Sequence, residues 1–236
     1  MTPTRDELFA LYALPDRSTR RVRMNFIESA DGAVTLGGSS GALGGETDRA
    51  VMRVLRTMSD VVMVGAGTVR AEGYGGVRMD EPDAAWRRAH GLSEHPPLAI
   101  VSHRLDIEPE HPFFAEAVVR PFVVTHQDAP DDRRRALEEV AEVLVHGASR
   151  VDLALALDAL AERGMTQVLC EGGPHLFGSL LGAGLVGELC VTIAPRIVGG
   201  VAGRIDRGAP EADRRFRLAS SFVDDEGFVF LRYAVK

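Results

Sequence analysis

Cysteine is scarce in this chain, with only Cys170 and Cys190 among its 236 residues. Each lies inside an apolar run, so we interpret both as buried, inert thiols rather than as a disulfide or a metal pair. The 7 histidines show no metal-ligand spacing. The sequence therefore predicts neither a disulfide framework nor a metal site.

Long apolar runs are also missing. No run approaches the roughly 18–20 residues that a membrane-spanning helix needs. The N-terminal segment MTPTRDELFALYALPDRSTRR lacks the basic start and the apolar stretch of a signal peptide. We therefore expect a cytoplasmic protein that does not bind a membrane.

Positive charge is in deficit, because 27 Lys and Arg stand against 34 Asp and Glu, which gives a net charge of −7 at pH 7. Nucleic-acid backbones require a basic protein surface, so we do not expect nucleic acid as a partner. A phosphorylated small molecule is compatible with this charge, since a few local arginines or a helix N-terminus can bind it.

The sequence does contain a regular alternation of apolar strands and helices. It is 45% hydrophobic and 26% charged, which is typical of a globular α/β protein with a sizeable core. Strands are predicted at 22–29, 60–65, 98–102, 121–125, 142–146, 166–170 and 187–195, helices at 46–58, 151–164 and 174–184, and two further strands after residue 214. This order predicts a mainly parallel sheet with an antiparallel C-terminal edge. We predict one domain over 22–236, preceded by an extension over 1–21 that contains a short helix.

Three glycine-bearing turns follow predicted strands, where open α/β sheets bind ligands. They are Gly65-Ala66-Gly67-Thr68, Glu171-Gly172-Gly173-Pro174-His175 and Ser29-Ala30-Asp31-Gly32. None matches the dinucleotide or phosphate-loop fingerprint. Their spacing alone leaves two readings open, tight connections between elements or a dinucleotide site. Glu28, Asp31 and Glu171 are candidate carboxylates for a pocket, although linear spacing does not show that they converge.

Taken in order, the motifs S-x-D-G (29–32), L-R-x-x-S-D (55–60), G-x-G-T-V-x-A-E (65–72), V-D-L (151–153), E-G-G-P-x-L-x-G-S-L-L-x-A-G-L-V-x-E-L (171–189) and I-A-P-x-I-V-G-G (193–200) carry a resemblance. The chain resembles the reductase domain of the riboflavin-biosynthesis deaminase–reductase family, and more closely its stand-alone pyrimidine reductases. The likeness covers about residues 22–235. The zinc-binding H-x-E and P-C-x-x-C motifs of the deaminase half are absent from the sequence.

This resemblance implies a dihydrofolate-reductase-like α/β fold, with helices on both faces of a mainly parallel sheet and antiparallel C-terminal strands. It implies an NADPH-dependent reductase of the 5-amino-6-(5-phosphoribosylamino)uracil type, in which hydride passes to C1′ of the opened sugar. Positioning of nicotinamide and substrate would supply most of the catalysis, with one proton delivered to the sugar. It also implies a homodimer built on the C-terminal strands.

The resemblance assigns roles to individual positions. Asp31 is the predicted catalytic residue, as a polar group near the reacting carbon. The predicted cofactor-binding residues are Ile27, Gly67, Thr68, Glu72, Ser102, Arg104, Gly172, Gly173, Pro174, His175, Leu176, Phe177, Gly178 and Ser179. The predicted substrate-binding residues are Ser40, Arg56, Gly76, Arg78 and Glu171, of which Arg56 and Arg78 are candidates for a phosphate.

Several positions depart from the family pattern. Asn25 stands where bacterial bifunctional members carry lysine, Ala42-Leu43-Gly44 replaces W-I-T, and Glu72 replaces an aspartate. The family's D-P-x-L-T-V-R is compressed to residues 73–78. The cofactor-binding motifs therefore match the family pattern more closely than the substrate-binding motifs do. This leaves two alternatives open, a reductase of the same fold that acts on a pterin or dihydrofolate, and a nucleotide-binding module without turnover.

Overall fold

The computed structural model describes residues 1–14 and 16–235. The chain divides into two compact units. Unit 1 comprises Met1–Arg56 and Leu169–Lys236, and unit 2 comprises Thr57–Val168. The predicted division into an extension, 1–21, and a single domain, 22–236, stays a prediction.

The strands within the described residues are β1 (Arg21–Ser29), β2 (Val61–Gly65), β3 (Leu98–Val101), β4 (Phe122–Thr125), β5 (Glu142–Val145), β6 (Gln167–Cys170), β7 (Glu188–Ala194), β8 (Phe216–Val223) and β9 (Val229–Val235). The helices are α1 (Arg5–Leu11), α2 (Glu46–Met58), α3 (Ala66–Glu72), α4 (Glu81–Ala89), α5 (Pro112–Ala115), α6 (Asp131–Glu138), α7 (Leu153–Glu162) and α8 (Pro174–Gly182). Each strand and helix predicted from the sequence is present, and the ends agree to within a few residues.

The strands form a sheet in the order β5-β4-β3-β2-β6-β1-β7-β9-β8. In unit 2, β2 to β5 pair in parallel. In unit 1, β1 and β7 are parallel, whereas β9 is antiparallel to both β7 and β8. The predicted mainly parallel sheet with antiparallel C-terminal strands is therefore confirmed.

Two expectations about local structure were incomplete. We expected the strand at 142–146 to be buried, but Glu142 is exposed and Val143 and Val145 are only half-buried. The reason is its place at one end of the strand order, where it has a neighbour on one side only. The second omission concerns α5 and α6, which the periodicity did not reveal because one is a single turn and the other is almost wholly charged.

The core of each unit follows from simple patterns. Every residue of β3 and β4 is buried, as expected for strands covered on both faces. Helix α7 begins at the V-D-L motif because the Asp152 carboxylate caps the amides of Ala154 and Leu155. It buries Leu153, Ala156, Leu157 and Leu160 at helical spacing. The helix predicted at 151–164 is therefore present and packs its apolar face in the core.

Cys170 and Cys190 are free and buried, as expected. Burial raises the pKa of Cys170 to about 12 and that of Cys190 to about 11. Both thiols are therefore protonated and unreactive near neutral pH. In the described part of the chain, no helix is both long and apolar enough to cross a membrane.

Glu188 of β7 is a buried carboxylate of unit 1, and its side chain is 1% exposed. Arg23 donates to it at 2.7 Å, Arg232 at 2.7 Å and Arg21 at 2.9 Å. Burial by itself would raise the pKa of Glu188, but Arg23 and Arg232 outweigh it and hold the pKa below its ordinary value. Arg23 also donates to the carbonyl of Tyr12, so the cluster fixes the end of the N-terminal helix against the sheet.

We predict that Glu188→Gln lowers the free energy of unfolding by about 3–5 kcal/mol, because three arginines lose the carboxylate that compensates them. Urea denaturation measures this loss. The depressed pKa means that the carboxylate stabilises the fold at neutral pH and ceases to do so as the pH falls through that pKa. The gap between wild type and variant should therefore narrow in acid.

The matched control is Glu142→Gln, which breaks a pair with Arg163 whose side chains are 45% and 38% exposed. It should cost less than about 1 kcal/mol. Equal losses from the two variants would contradict the role given to Glu188.

Candidate active site

The carboxyl half of β1, a strand inside the sheet, is incompletely covered. Asn25, Phe26, Ile27 and Glu28 are each only half-buried, although β1 lies between β6 and β7 in the sheet. Central strands are normally covered on both sides, and ligands of open α/β sheets bind at the carboxyl ends of the strands. We therefore expect this half of β1 to form the base of a ligand-binding site.

Different helices of unit 1 contact the two faces of this region. On one face, Ile27 lies opposite Thr192 in the sheet register, and the Thr192 side chain hydrogen-bonds to Asp48 of α2. On the other face, the ring of Phe26 lies 5.2 Å from the ring of Phe177 on α8. Successive side chains of a strand point to opposite faces. Asn25 and Ile27 therefore share the face of α2.

Arg56 and Glu171, both predicted to face the substrate, lie together in unit 1. Arg56 donates from Nε and Nη2 to the two carboxylate oxygens of Glu171, at 2.6 and 2.7 Å. Their side chains are 23% and 4% exposed. The two parallel hydrogen bonds fix both side chains and tie the last turn of α2 to the end of β6.

The turn that opens α8 suits an anion. Gly172 has φ of 132°, which favours glycine, and the Gly172–Gly173 peptide bond is cis. Gly173 is the N-cap and offers no side-chain acceptor to the first turn, and Pro174 follows as the first residue of the helix. The first amides of a helix have no intrahelical partner, and they can bind a phosphate.

The remaining predicted residues of this helix take other positions. Leu176 and Phe177 are buried in the core, so only their backbone could reach a cofactor. A Cβ on Gly178 would lie 2.3 Å from the carbonyl oxygen of Arg207, so this glycine is required for the close approach of the 207–209 backbone. His175 and Ser179 are exposed, and the Ser179 hydroxyl donates to the carbonyl of His175.

Asp31 anchors a loop. Its carboxylate accepts hydrogen bonds from the Ser29 hydroxyl and from the amides of Val198 and Gly199, the latter two at 3.1 and 2.7 Å. These bonds, that of Ser29 first, lower its pKa to about 2. Asp31 is therefore ionised at neutral pH, which fits an anchor for the 196–200 loop and does not fit a proton donor. Its predicted proximity to the reacting carbon stays a prediction.

Ser40, the remaining predicted substrate residue of unit 1, lies in the loop before α2. Its carbonyl accepts the amide of Leu43 at 3.0 Å, and the residue is half-buried. Leu43, which stands within the segment that replaces the family's W-I-T, is fully buried. An apolar side chain thus fills the core at this point without an aromatic ring.

Unit 2 contains the second group of predicted cofactor residues. Gly67 and Thr68 lie in the first turn of α3 and Glu72 at its end. Gly67 is exposed, and a Cβ built on it would meet nothing within 4 Å. The protein itself therefore gives no packing reason for a glycine at this position.

Gly76 and Arg78, predicted to face the substrate, have different surroundings. A Cβ on Gly76 would lie 2.1 Å from the carbonyl oxygen of Glu116, so the close backbone contact accounts for the glycine. Arg78 is exposed.

In the turn after β3, one of the two predicted cofactor-binding residues forms a hydrogen bond within the turn itself. Ser102 is 2% exposed, and its hydroxyl accepts the amide of Leu105, a residue with φ of 53°. The exposed Arg104 therefore retains the group that can bind an anion, whereas Ser102 shapes the turn.

Next to this turn the structure places two groups that the sequence did not reveal, His126 and Arg150. The His103 ring lies 5.3 Å from that of His126. Partial burial, followed by the charges of His126 and Arg150, lowers the pKa of His103. The positions of His126 and Arg150 shortly after β4 and β5 were the available signal, because carboxyl ends of parallel strands share an edge.

Asp48 is the other residue that the sequence did not reveal. It appeared only as an acidic residue at a helix start, a position that acidic residues favour for electrostatic reasons alone. Burial raises its pKa, while the Thr192 hydrogen bond and the charge of Arg49 oppose the rise. Among the described residues, no group of three or more His, Cys, Asp or Glu side chains is arranged to hold a metal ion.

Comparison with known proteins agrees with this geometry. Residues 20–230 match the family described as RibD C-terminal domain. The chain is 33% identical over 215 residues to the 2,5-diamino-6-ribosylamino-4(3H)-pyrimidinone 5′-phosphate reductase of Methanothermobacter thermautotrophicus, which covers 91% of this chain and 88% of that protein. The RibD protein of Mycobacterium tuberculosis is 30% identical over 187 residues, which cover 78% of this chain and 45% of that protein.

Solved structures give the same result. A pyrimidine reductase-like protein from Corynebacterium diphtheriae superposes with a TM-score of 0.86 at 31% identity, covering 97% of this chain and 98% of that one. A riboflavin biosynthesis reductase from Saccharomyces cerevisiae, at 18% identity and a TM-score of 0.67 over 94% of this chain and 93% of that one, shares the fold. The predicted dihydrofolate-reductase-like fold is confirmed.

We predict that Asp31→Ala frees the 196–200 loop, because the amides of Val198 and Gly199 lose their acceptor. Hydrogen–deuterium exchange should become faster at these two amides. Asp225→Ala, which removes a carboxylate that binds Thr2 instead, is the control and should leave them unchanged. Unaltered exchange in Asp31→Ala would show that the loop is held by other contacts.

Proposed function

Because the chain belongs to the RibD C-terminal domain family, we propose that it is an NADPH-dependent reductase of a 6-ribosylamino-pyrimidine 5′-phosphate in riboflavin biosynthesis. The observation that carries the proposal is the meeting of Arg56 and Glu171 beside the half-covered end of β1. The family resemblance assigns both residues to the substrate. The name of the Methanothermobacter relative gives a ring with an amino group at position 2. A solved deaminase–reductase from Thermotoga maritima, which shares the fold at 17% identity, is named for a uracil ring, which has a carbonyl at that position.

The residues present fit a nicotinamide dinucleotide. In unit 2, Gly67 faces open space, as a position does where a ligand approaches the backbone. In unit 1, the uncapped first turn of α8 offers amides to a pyrophosphate. The family resemblance also assigns Ile27, Thr68 and Glu72 to the cofactor.

NADPH rather than NADH is favoured by the cations after β3 and β5. The guanidinium of Arg104 is exposed, and Arg150 is close enough to His103 to lower its pKa. A 2′-phosphate is a dianion that such groups bind through charge-assisted hydrogen bonds. We propose that Arg104 and Arg150 recognise it.

The chemistry requires positioning more than covalent participation. Bound NADPH supplies the hydride for C1′ of the opened sugar. The Arg56–Glu171 pair holds two side chains rigid beside β1, and the loop anchored by Asp31 borders the same strand end. Arg78, which is exposed in unit 2, is assigned to the substrate phosphate. Action in the cytoplasm as a homodimer stays a prediction.

The direct test is NADPH oxidation with a ribosylamino-pyrimidine phosphate, with formation of the ribitylamino product. Gly67→Val should abolish NADPH binding measured by fluorescence titration, because the new side chain occupies the ligand's space, whereas its Cβ meets no protein atom within 4 Å. Gly203→Val is the matched control, since a Cβ there also meets nothing within 4 Å. Equal NADPH affinity in both variants would remove Gly67 from the site.

We further predict that Arg104→Ala raises the Kd for NADPH about ten- to a hundredfold, the effect of losing one charge-assisted contact. The Kd for NADH should hardly change, because NADH lacks the phosphate. Arg217→Ala, which alters an exposed arginine of β8, serves as the control. An equal loss of affinity for both cofactors would contradict the assignment of Arg104.

A further inference from the structure

We propose that Asp48 contacts the pyrimidine edge that carries position 2, and that it selects a ring with an amino group there over a ring with a carbonyl. The proposal rests on the proposed function, because it concerns the substrate of that same reductase site. It assigns a specificity-determining role to a residue outside the family motifs quoted above.

The placement of α2 carries the first step. Its Asp48 end is bound to Thr192 of β7, and its Arg56 end is bound to Glu171 just after β6. Strand β1 lies between β6 and β7. The eight helical steps from 48 to 56 rise by about 12 Å, and two strand spacings amount to about 10 Å. The helix therefore crosses over β1 between these two contacts.

The second step concerns the face of β1 that lies below α2. Asn25 and Ile27 occupy the face of β1 that α2 covers, yet both are only half-buried. The Oδ1 atom of Asn25 is buried and has no hydrogen-bond partner within the described residues. Buried acceptors are nearly always satisfied in native proteins. An N–H group of a ligand between α2 and β1 would satisfy this one.

The surroundings of Asp48 supply the third step. Thr192 from β7 is its hydrogen-bond partner, Tyr12 just after α1 is the nearby buried phenol, and Arg49 is the charge on its own helix. Among the described residues, no lysine or arginine forms an ion pair with Asp48. Its pKa is raised by burial. Asp48 is half-buried, and a carboxylate in such a place is stabilised by two N–H donors from a ligand.

The fourth step is ring chemistry. A 2-amino-4(3H)-pyrimidinone presents the 2-amino group and N3–H side by side, so a carboxylate can accept from both. A uracil ring has a C2 carbonyl beside N3–H, and that oxygen would face a carboxylate oxygen. Ionised Asp48 therefore pairs with the amino form and repels the carbonyl form.

The experiment measures kcat/KM for the 2-amino and the 2-carbonyl ribosylamino phosphates with wild type and with Asp48→Asn. Wild type should prefer the amino form. Asp48→Asn should reduce kcat/KM for that form by about ten- to a hundredfold. It should preserve or raise kcat/KM for the uracil form, because a carboxamide can donate to the C2 carbonyl. The Kd for NADPH should be unchanged.

Two further variants separate recognition from structure. Glu46→Gln removes an acidic charge from the same first turn of α2 and should leave the preference intact. Thr192→Val removes the hydroxyl partner of Asp48 without a change of charge, and it should weaken the preference in the same direction as Asp48→Asn. Agreement of the two site variants would support recognition by the Asp48–Thr192 pair.

Three outcomes would overturn the inference. A wild-type preference for the uracil form, or an equal loss on both substrates in Asp48→Asn, would reject the role of Asp48 and leave the proposed reductase function standing. Turnover of neither phosphate by wild type, in spite of bound NADPH, would reject both.

Discussion

The ion pair between Arg56 and Glu171 is the contact on which the rest of the site depends. Glu171 is almost wholly buried, and a buried carboxylate is tolerated only when it is paired with good geometry. The two-pronged contact provides this and holds the C-terminal end of α2 at the end of β6. The other end of the helix is bound to Thr192, and Asn25 and Ile27 on the face of β1 that it crosses are only half-buried.

The glycines of the sequence motifs serve two distinct physical needs. Gly178 and Gly76 are required because another segment of backbone lies where a side chain would be, at 2.3 and 2.1 Å from the built Cβ. A Cβ on Gly67 would meet no protein atom within 4 Å, so packing does not require this glycine, and we propose that it serves the close approach of the cofactor. Motif membership alone does not distinguish these cases, whereas the distance from a built Cβ does.

The sequence was sufficient to predict the order of strands and helices along the chain, because burial of parallel strands and helix periodicity are local signals. It was not sufficient to predict which side chains lie close together in the folded chain. Glu28, Asp31 and Glu171 were equivalent candidates, yet Glu171 pairs with Arg56 while Asp31 is occupied by the amides of Val198 and Gly199. Asp48 was hidden because its position at a helix start already explains an acidic residue. Its hydrogen-bond partner Thr192 belongs to β7, which lies far along the chain.

The central claim is that this chain transfers hydride from NADPH to C1′ of a ribosylamino-pyrimidine phosphate. It is tested most directly with NADPH carrying deuterium at C4 of the nicotinamide, prepared separately in each of the two stereochemical forms. Proton and deuterium NMR of the product should show one deuterium at C1′ of the ribityl chain with one form and none with the other. A ribityl product without deuterium from either form, or NADPH consumption without such a product, would contradict the account.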